Sequence, residues 1–166
     1  MLTTRRRLGA IGIAALATAL ALILAACGGG ASATDQDAGA GQPATTTAPG
    51  TIAVDLGEGG GSMFLTPAVT SADAGSVTFV VTNSGVVEHE FVVLRTDLAA
   101  ADLPFDAGTN EAEEEGDGVT PVDEIGSLLP GETKTLTVDL EAGHYVLICN
   151  LTGHYQMGMR GDFTTH

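Results

Sequence analysis

The residues of this chain that could do chemistry are concentrated near its C-terminus, between Cys149 and Met159. This segment supplies one thiol, one imidazole at His154 and two thioethers, at Met157 and Met159. Thiolate and thioether are soft metal donors and imidazole is intermediate, so a second imidazole would complete a trigonal set with a weak axial thioether. His89, at the start of a separate strand-like run, is the available candidate. The donor types and their spacing therefore predict a copper site of the blue type.

Each donor also has an alternative explanation. A lone cysteine such as Cys149 is commonly a buried core residue, but its spacing from His154 and Met159 favours a ligand. Cys149 and His154 could instead form a nucleophile and its base, but the segment offers neither an orienting acid nor an oxyanion-hole motif. Met157 competes with Met159 for the axial position.

Other polar and sulfur-containing side chains are expected to lie outside the metal site. His144 follows a Gly turn in an apolar strand and is predicted to be structural, whereas His166 ends the chain and is predicted to be solvated. Met63 is expected in the core. Glu88 and Glu90 flank the candidate histidine and are expected on a solvated rim, where either could lower the copper potential by stabilising the more positive oxidised ion.

Strands must position these donors, because period-two alternation begins after residue 51. The alternation is clearest in residues 77–82 and 136–140, and further β-rich runs occupy 51–56, 90–94, 144–149 and 161–165. Gly, Pro, Asn and Asp breakers separate the runs. Short strands separated by turns predict an all-β antiparallel sandwich, with the metal donors in a loop at one end.

Residues 96–122 interrupt this pattern. Their first part could form a helical turn capped by Asp97, and residues 111–117 form an acidic run. Such a run is expected to be a solvated, mobile loop in preference to a partner-docking surface. It also lacks the ligand spacing of an EF-hand calcium loop.

The N-terminal 26 residues predict a secretory signal peptide. Arginines 5–7 precede an uncharged Ala/Leu/Ile run from Leu8 to Ala26, and small residues end it. The sequence Leu-Ala-Ala-Cys that ends at Cys27 resembles the bacterial lipobox, which implies cleavage before Cys27 and acylation of its thiol. A retained membrane-anchor helix is the alternative.

Composition and charge agree with a tethered, exported domain. Residues 27–50 are rich in Gly, Ala, Thr and Pro and predict a flexible tether ahead of one domain, residues 51–166. The 166-residue chain carries 6 Lys+Arg against 21 Asp+Glu, a formal charge of -15, which excludes a nucleic-acid binder that relies on a basic surface. Loss of residues 1–26 removes three arginines and leaves 3 against 21, or -18. Membrane attachment would then require the acyl chain, because anionic lipid would repel the protein.

Taken together, the motifs of residues 51–166 resemble those of the cupredoxins, copper proteins of the plastocyanin/azurin type. The resemblance rests on Asn83-Ser84-Gly85 before His89-Glu90-Phe91, on Ala142-Gly143-His144-Tyr145 before Cys149, and on Gly153-His154-Tyr155 and Gly158-Met159. It implies a cupredoxin-like Greek-key β-sandwich with one type 1 copper. The implied equatorial ligands are His89, Cys149 and His154, and the implied axial ligand is Met159. Asn83 is implied to support the site by tying the two ligand loops together.

The resemblance implies a one-electron carrier and no enzymatic reaction. With an acylated Cys27, the protein is expected as a monomer on the extracytoplasmic or periplasmic face of a membrane. Its acidity predicts a basic redox partner such as a cytochrome or a copper oxidase. The alternative is a protein that captures or buffers copper without electron transfer, which the two nearby thioethers and the acidic run motivate. A catalytic role such as nitrite reduction would need a second copper site, and the two spare histidines do not supply one.

Overall fold

The computed structural model describes residues 50–166, so the predicted signal peptide, Cys27 and nearly all of the predicted tether lie outside it. The described residues form eleven strands and no α-helix. Accordingly, none of residues 50–166 belongs to a helix suited to crossing a membrane. The strands are β1 (Thr51–Gly59), β2 (Ser62–Pro67), β3 (Ser71–Ala72), β4 (Gly75–Asn83), β5 (His89–Thr96), β6 (Phe105–Asp106), β7 (Glu111–Ala112), β8 (Val119–Leu128), β9 (Thr133–Leu140), β10 (Gly143–Ile148) and β11 (Arg160–Thr165).

Two sheets form the sandwich, and a small hairpin stands beside it. One sheet has the order β2-β1-β4-β9, the other has the order β3-β11-β10-β5-β8, and β6 pairs with β7. The predicted all-β sandwich is confirmed. The prediction of purely antiparallel pairing is wrong, because β1 pairs with β4 and β11 pairs with β3 in parallel. Between β1 and β4 the chain crosses to the other sheet at β3, and such a crossover is what parallel neighbours require.

Alternating apolar residues build the core between the sheets. Val77, Phe79 and Val81 of β4 are at most 1% exposed, as the alternation predicts. The ring of Phe79 meets rings from the opposite sheet, with centroid distances of 5.2 Å to Phe91 and 5.5 Å to Phe163. Edge-to-face and tilted aromatic pairs of this kind add to the free energy gained by burying the rings.

A second apolar cluster lies on the outer face of β5 and β10. Four strand residues of this face pack against three residues of the inserted segment 97–118, against the first residue of β8 and against Tyr155; the set is Val92, Leu94, Val146 and Ile148 with Ala100, Leu103, Ala112, Val119 and Tyr155. The inserted segment therefore covers the second face of the sheet. Within the acidic run 111–117, which was predicted to be a solvated loop, Glu113 and Glu115 are exposed, whereas Ala112 is buried in this cluster.

The predicted helical turn is also absent from this described segment. Asp102 N–H donates to the carbonyl of Ala99, which closes a β-turn and not a turn of helix. The side chain that caps the preceding bend is Thr96, whose Oγ1 accepts the N–H of Leu98 at 3.1 Å. Asp97 is therefore not a helix cap.

Candidate metal centre

Three of the predicted ligands converge at one end of the sandwich. His89 begins β5 and Cys149 follows β10, and the antiparallel pairing of these strands puts both residues at the same end. His154 reaches the same point from the turns after Cys149. The two histidine Nδ1 atoms are 3.2 Å apart, and Cys149 Sγ lies 3.4 Å from that of His154 and 3.9 Å from that of His89. Within residues 50–166, this is the one group of three or more His, Cys, Asp or Glu placed to share a metal ion.

Residues 149–159, which we call the ligand loop, also place the two candidate thioethers. Met159 is fully buried in the same core cluster as Cys149, whereas Met157 is 46% exposed. Cys149 N–H donates to the carbonyl of Met159 at 3.0 Å, and Met159 N–H donates to that of His154 at 3.2 Å. Met63 packs against the core, as expected, and its N–H donates to Met157 O at 3.1 Å. The arrangement favours Met159 for the axial position.

Glu90 connects the two ligand strands and is not the solvated rim charge that we expected. The register of β5 with β8 shifts between His89 and Phe91, because β8 has one extra residue, at Gly126 and Ser127, opposite Glu90. Its N–H donates to Cys149 Sγ at 3.3 Å, and its carboxylate accepts the N–H of Asn150 at 2.7 Å. Burial raises the pKa of Glu90 to about 7, although the Asn150 N–H opposes the shift. This one residue therefore links the start of β5 to the sulfur and to the ligand loop.

Asn83, predicted to support the site, is fully buried at the end of β4. Its Nδ2 donates to the carbonyls of Val87 at 2.7 Å and Leu128 at 2.9 Å, and its Oδ1 accepts the N–H of Gly85 at 2.9 Å. These contacts fix the loop that leads into the first ligand histidine. The predicted role of tying the two ligand loops together is carried in this structure by Glu90.

The inserted segment holds the ligand loop from the side, a role that the sequence analysis missed. Asn150 Oδ1 accepts the N–H of Ala112 at 2.7 Å, and its Nδ2 donates to Ala112 O and to Glu114 Oε1, both at 2.9 Å. Gly153 N–H donates to the carbonyl of Asn110 at 2.9 Å. An asparagine directly after the candidate cysteine was the available signal, because a buried amide requires partners.

The remaining candidates lie where they were expected. His144 is at the far end of β10, where its ring nitrogens bond Thr96 O at 2.7 Å and Asp162 Oδ1 at 3.1 Å. The side chain of His166 is 69% exposed. Glu88 is exposed on the rim, where it accepts a hydrogen bond from a serine hydroxyl. None of the three is placed to share a metal with the converging donors of the described domain.

Nearly all of the described domain matches one family of known proteins. The matching family model is that of the copper binding proteins of the plastocyanin/azurin family, and the match spans residues 52–166. The chain belongs to this family. The predicted cupredoxin and its copper cofactor are therefore confirmed. No curated protein matches the sequence at a significant level.

Solved structures of other cupredoxins share the fold at low identity. Dithionite-reduced auracyanin from the photosynthetic bacterium Roseiflexus castenholzii is 19% identical with a TM-score of 0.51, over 70% of this chain and 97% of that chain. A structure of rusticyanin variants is 19% identical with a TM-score of 0.53, over 70% and 76%. Auracyanin B is 23% identical with a TM-score of 0.50, over 73% and 91%. Similarity at these identities establishes the fold.

The donors of this cupredoxin fit a copper ion. Separations of 3.2–3.9 Å are those of donors around one small ion at bond lengths of about 2.0–2.3 Å. Burial raises the pKa of the Cys149 thiol to about 11, so a thiolate at this position requires a bound cation. Burial, and next the neighbouring His89, lowers the pKa of His154, which keeps its imidazole neutral and able to ligate. Sulfur with two imidazoles and a buried thioether is the donor set of type 1 copper.

Proposed function

We propose that this cupredoxin is a one-electron carrier, anchored by a lipid on Cys27 to the extracytoplasmic face of a membrane. The observation that carries the proposal is the preassembled donor set: three ligand atoms that lie within 4.8 Å of one another. Bound copper would supply a reversible couple between Cu(I) and Cu(II). The residues of this chain supply a site that does not need to reorganise when the charge changes.

Backbone hydrogen bonds provide that rigidity. The bond from Cys149 N to Met159 O closes the ligand loop on itself, and the bond from Met63 to Met157 fastens the loop to β2. The N–H of Glu90 donates to the sulfur and stabilises it as a thiolate. Donors that rest on strands and on locked turns keep one geometry in both oxidation states.

The end of the sandwich that carries the site is suited to a transient partner. His154 is half-buried, so this ligand remains partly accessible to an electron-transfer partner. Apolar side chains are exposed on the loops at this end, where Val86 is 83%, Leu129 is 51% and Met157 is 46% exposed. With an acidic domain around it, this surface fits a partner with an apolar centre and a basic rim. Association should weaken as salt rises, because screening reduces attraction between exposed charges.

The spectrum of the copper-loaded protein tests the site. We expect an intense blue or green colour from thiolate-to-Cu(II) charge transfer and a type 1 EPR signal at one copper per chain. Cys149→Ala and His154→Ala should each abolish the band, whereas His166→Ala, which removes an exposed imidazole, should leave it intact. A colourless Cu(II) protein, or a band that survives Cys149→Ala, would contradict the proposal.

Copper capture without electron transfer is the second candidate, and the exposure of Met157 favours it, since thioethers select Cu(I). Electron self-exchange and the reduction potential separate the two functions. Fast, reversible exchange is expected of the carrier. A centre that stays Cu(I) at every accessible potential would instead establish capture.

The proposed membrane anchor rests on the lipobox-like sequence that ends at Cys27. Mass spectrometry of the N-terminal peptide from the membrane fraction should find an acylated Cys27 as the first residue. Cys27→Ser should move the protein out of that fraction. An unmodified Cys27 within a longer N-terminal peptide would contradict the anchor while leaving the copper site unaffected.

A further inference from the structure

A carboxylate from the first strand contacts one of the predicted copper ligands. Oε1 of Glu58, near the end of β1, lies 2.9 Å from Nε2 of His89. The same carboxylate accepts the N–H of Val86 at 2.9 Å and the N–H of Val87 at 3.3 Å. His89 is fully buried, and the Glu58 side chain is only 21% exposed. Three donors from one short stretch of chain, the histidine included, therefore end on a single carboxylate.

This contact determines which nitrogen of His89 carries the proton. An ionised carboxylate can only accept hydrogen bonds, so Nε2 donates, and Nδ1 of the neutral ring then holds the free lone pair. Nδ1 is the atom that faces Cys149 Sγ and His154 Nδ1. His89 is thus held in the tautomer and the orientation that a metal ligand at Nδ1 requires.

Glycines let the carboxylate reach this position. A methyl group on Gly85 would lie 2.8 Å from Cδ of Glu58. A methyl group on Gly57 would lie 2.8 Å from the ring of Phe64 and 3.2 Å from the backbone nitrogen of Gly85. Both distances to carbon are shorter than normal contacts. A side chain at Gly85 would therefore displace the Glu58 carboxylate, and one at Gly57 would displace the Phe64 ring and press on the backbone of the loop before His89.

We propose that Glu58 is a positioning residue of the copper site and acts through His89. Its carboxylate sets the tautomer and ring orientation of the ligand and fixes the preceding loop at Val86 and Val87. Its negative charge lies against a buried ligand and favours the more positive, oxidised ion. The inference deepens the proposed function, because it rests on His89 as a copper ligand.

The first test uses copper-free protein and needs no electron transfer. The imidazole nitrogen chemical shifts of His89 should show the Nε2–H tautomer in the native chain. In Glu58→Gln the amide can donate as well as accept, so the preference for Nε2–H should fall. Glu88→Gln is the matched control, because it removes the same charge beside His89 in sequence from an exposed side chain that bonds Ser127.

The second test uses copper-loaded protein. Loss of a partner that orients a ligand histidine typically weakens metal binding about 10–100-fold. Glu58→Gln should weaken Cu(II) binding by such a factor and Cu(I) binding by less, so the reduction potential should rise. Glu88→Gln should change each quantity far less. Gly85→Ala retains the charge but displaces the carboxylate, so it should lose the tautomer preference with a smaller rise in potential.

The outcomes are distinct. If Glu58→Gln matches Glu88→Gln both in the His89 shifts and in the ratio of Cu(II) to Cu(I) affinity, the proposal is overturned. If Glu58→Gln does not fold, the same measurements on Gly85→Ala decide. If the native copper protein proves not to be a one-electron carrier, the proposed function fails, and the copper-free tautomer measurement still decides whether Glu58 positions His89.

Discussion

Truncation of Asn150 is the sharpest test of how the inserted segment supports the metal centre. Asn150 is 8% exposed, and its side chain bonds both the N–H and the C=O of Ala112. The N–H of Glu113 donates to the carbonyl of Pro104 within the β6–β7 hairpin, which leaves the polar groups of Ala112 facing away from β6. Asn150 therefore takes the place of the next strand for this hairpin.

The expected cost follows from the two groups left without a partner. Ala112 is 6% exposed, and each buried polar group that loses its hydrogen bond costs about 1–3 kcal/mol. Water can reach part of a hairpin so near the surface, so we expect Asn150→Ala to lower the free energy of unfolding by about 2–4 kcal/mol. Thr152→Ala is the control, because its hydroxyl bond to Glu111 is exposed and should contribute less than about 0.5 kcal/mol.

Equilibrium unfolding in urea of the copper-free protein measures both variants without the added stability of bound metal. Hydrogen exchange at the amide of Ala112 supplies a local measurement, because its protection should fall in Asn150→Ala and persist in Thr152→Ala. A loss below about 1 kcal/mol, or an Ala112 amide that stays protected, would refute the idea that Asn150 holds the hairpin.

Three further predictions concern the packing and the metal. Gly158 has a φ of +113°, and a methyl group there would lie 2.9 Å from the carbonyl oxygen of Met63. Gly158→Ala should therefore lower the melting temperature, whereas Gly59→Ala, which has open space, should change it little; equal effects would refute the strain. Phe79→Ala removes a fully buried ring and should cost about 3–5 kcal/mol in urea unfolding, and a cost under about 1 kcal/mol would contradict its place at the centre of the core. Copper should raise the melting temperature of the native protein, since a ligand bound by the folded state stabilises it, and a similar rise in Cys149→Ala would place the metal elsewhere.

The metal donors could be predicted because their signal is local. Cys149, His154 and Met159 occupy one loop of fixed spacing, and a loop retains its spacing whatever surrounds it. The residues that orient them could not be predicted, since their contacts join distant parts of the chain. Glu58 lies 31 positions before His89, and in sequence it is one more acidic residue near a turn.

Contacts between distant parts of the chain also limit the prediction of the strands. Residues 91–94 of β5 are apolar without alternation, and all four are buried, so both faces of the strand had to be covered. The cover is segment 97–118, whose few apolar residues are too scattered to show a period. β8 is an edge strand that contains Pro121 and Gly126, and edge strands tolerate such residues. Because its sequence is polar and contains residues that commonly interrupt strands, the sequence does not indicate a strand here.

Within residues 50–166 the cationic side chains do little to offset the acidic charge. Each of the three is engaged by a group of its own: Arg95 bonds Glu141, Lys134 lies 3.2 Å from Glu132, and Arg160 lies 4.8 Å from the centre of the Tyr155 ring. The charges of Arg95 and Lys134 are thereby each offset by a carboxylate.

The acidic residues act on the approach of a partner at long range and on the metal at short range. Added salt distinguishes the two effects, because it screens the long-range one more strongly. At physiological ionic strength, charges on the surface are screened beyond about 8 Å, so remote carboxylates influence the approach of a partner more than they influence the metal. Glu58 contacts His89 directly and is only 21% exposed, and partly buried charges are screened far less. Added salt should therefore weaken partner association while the potential barely moves. The reduction potential of the copper thus depends on charges in close contact with its ligands, whereas association with a partner depends on the net charge of the chain.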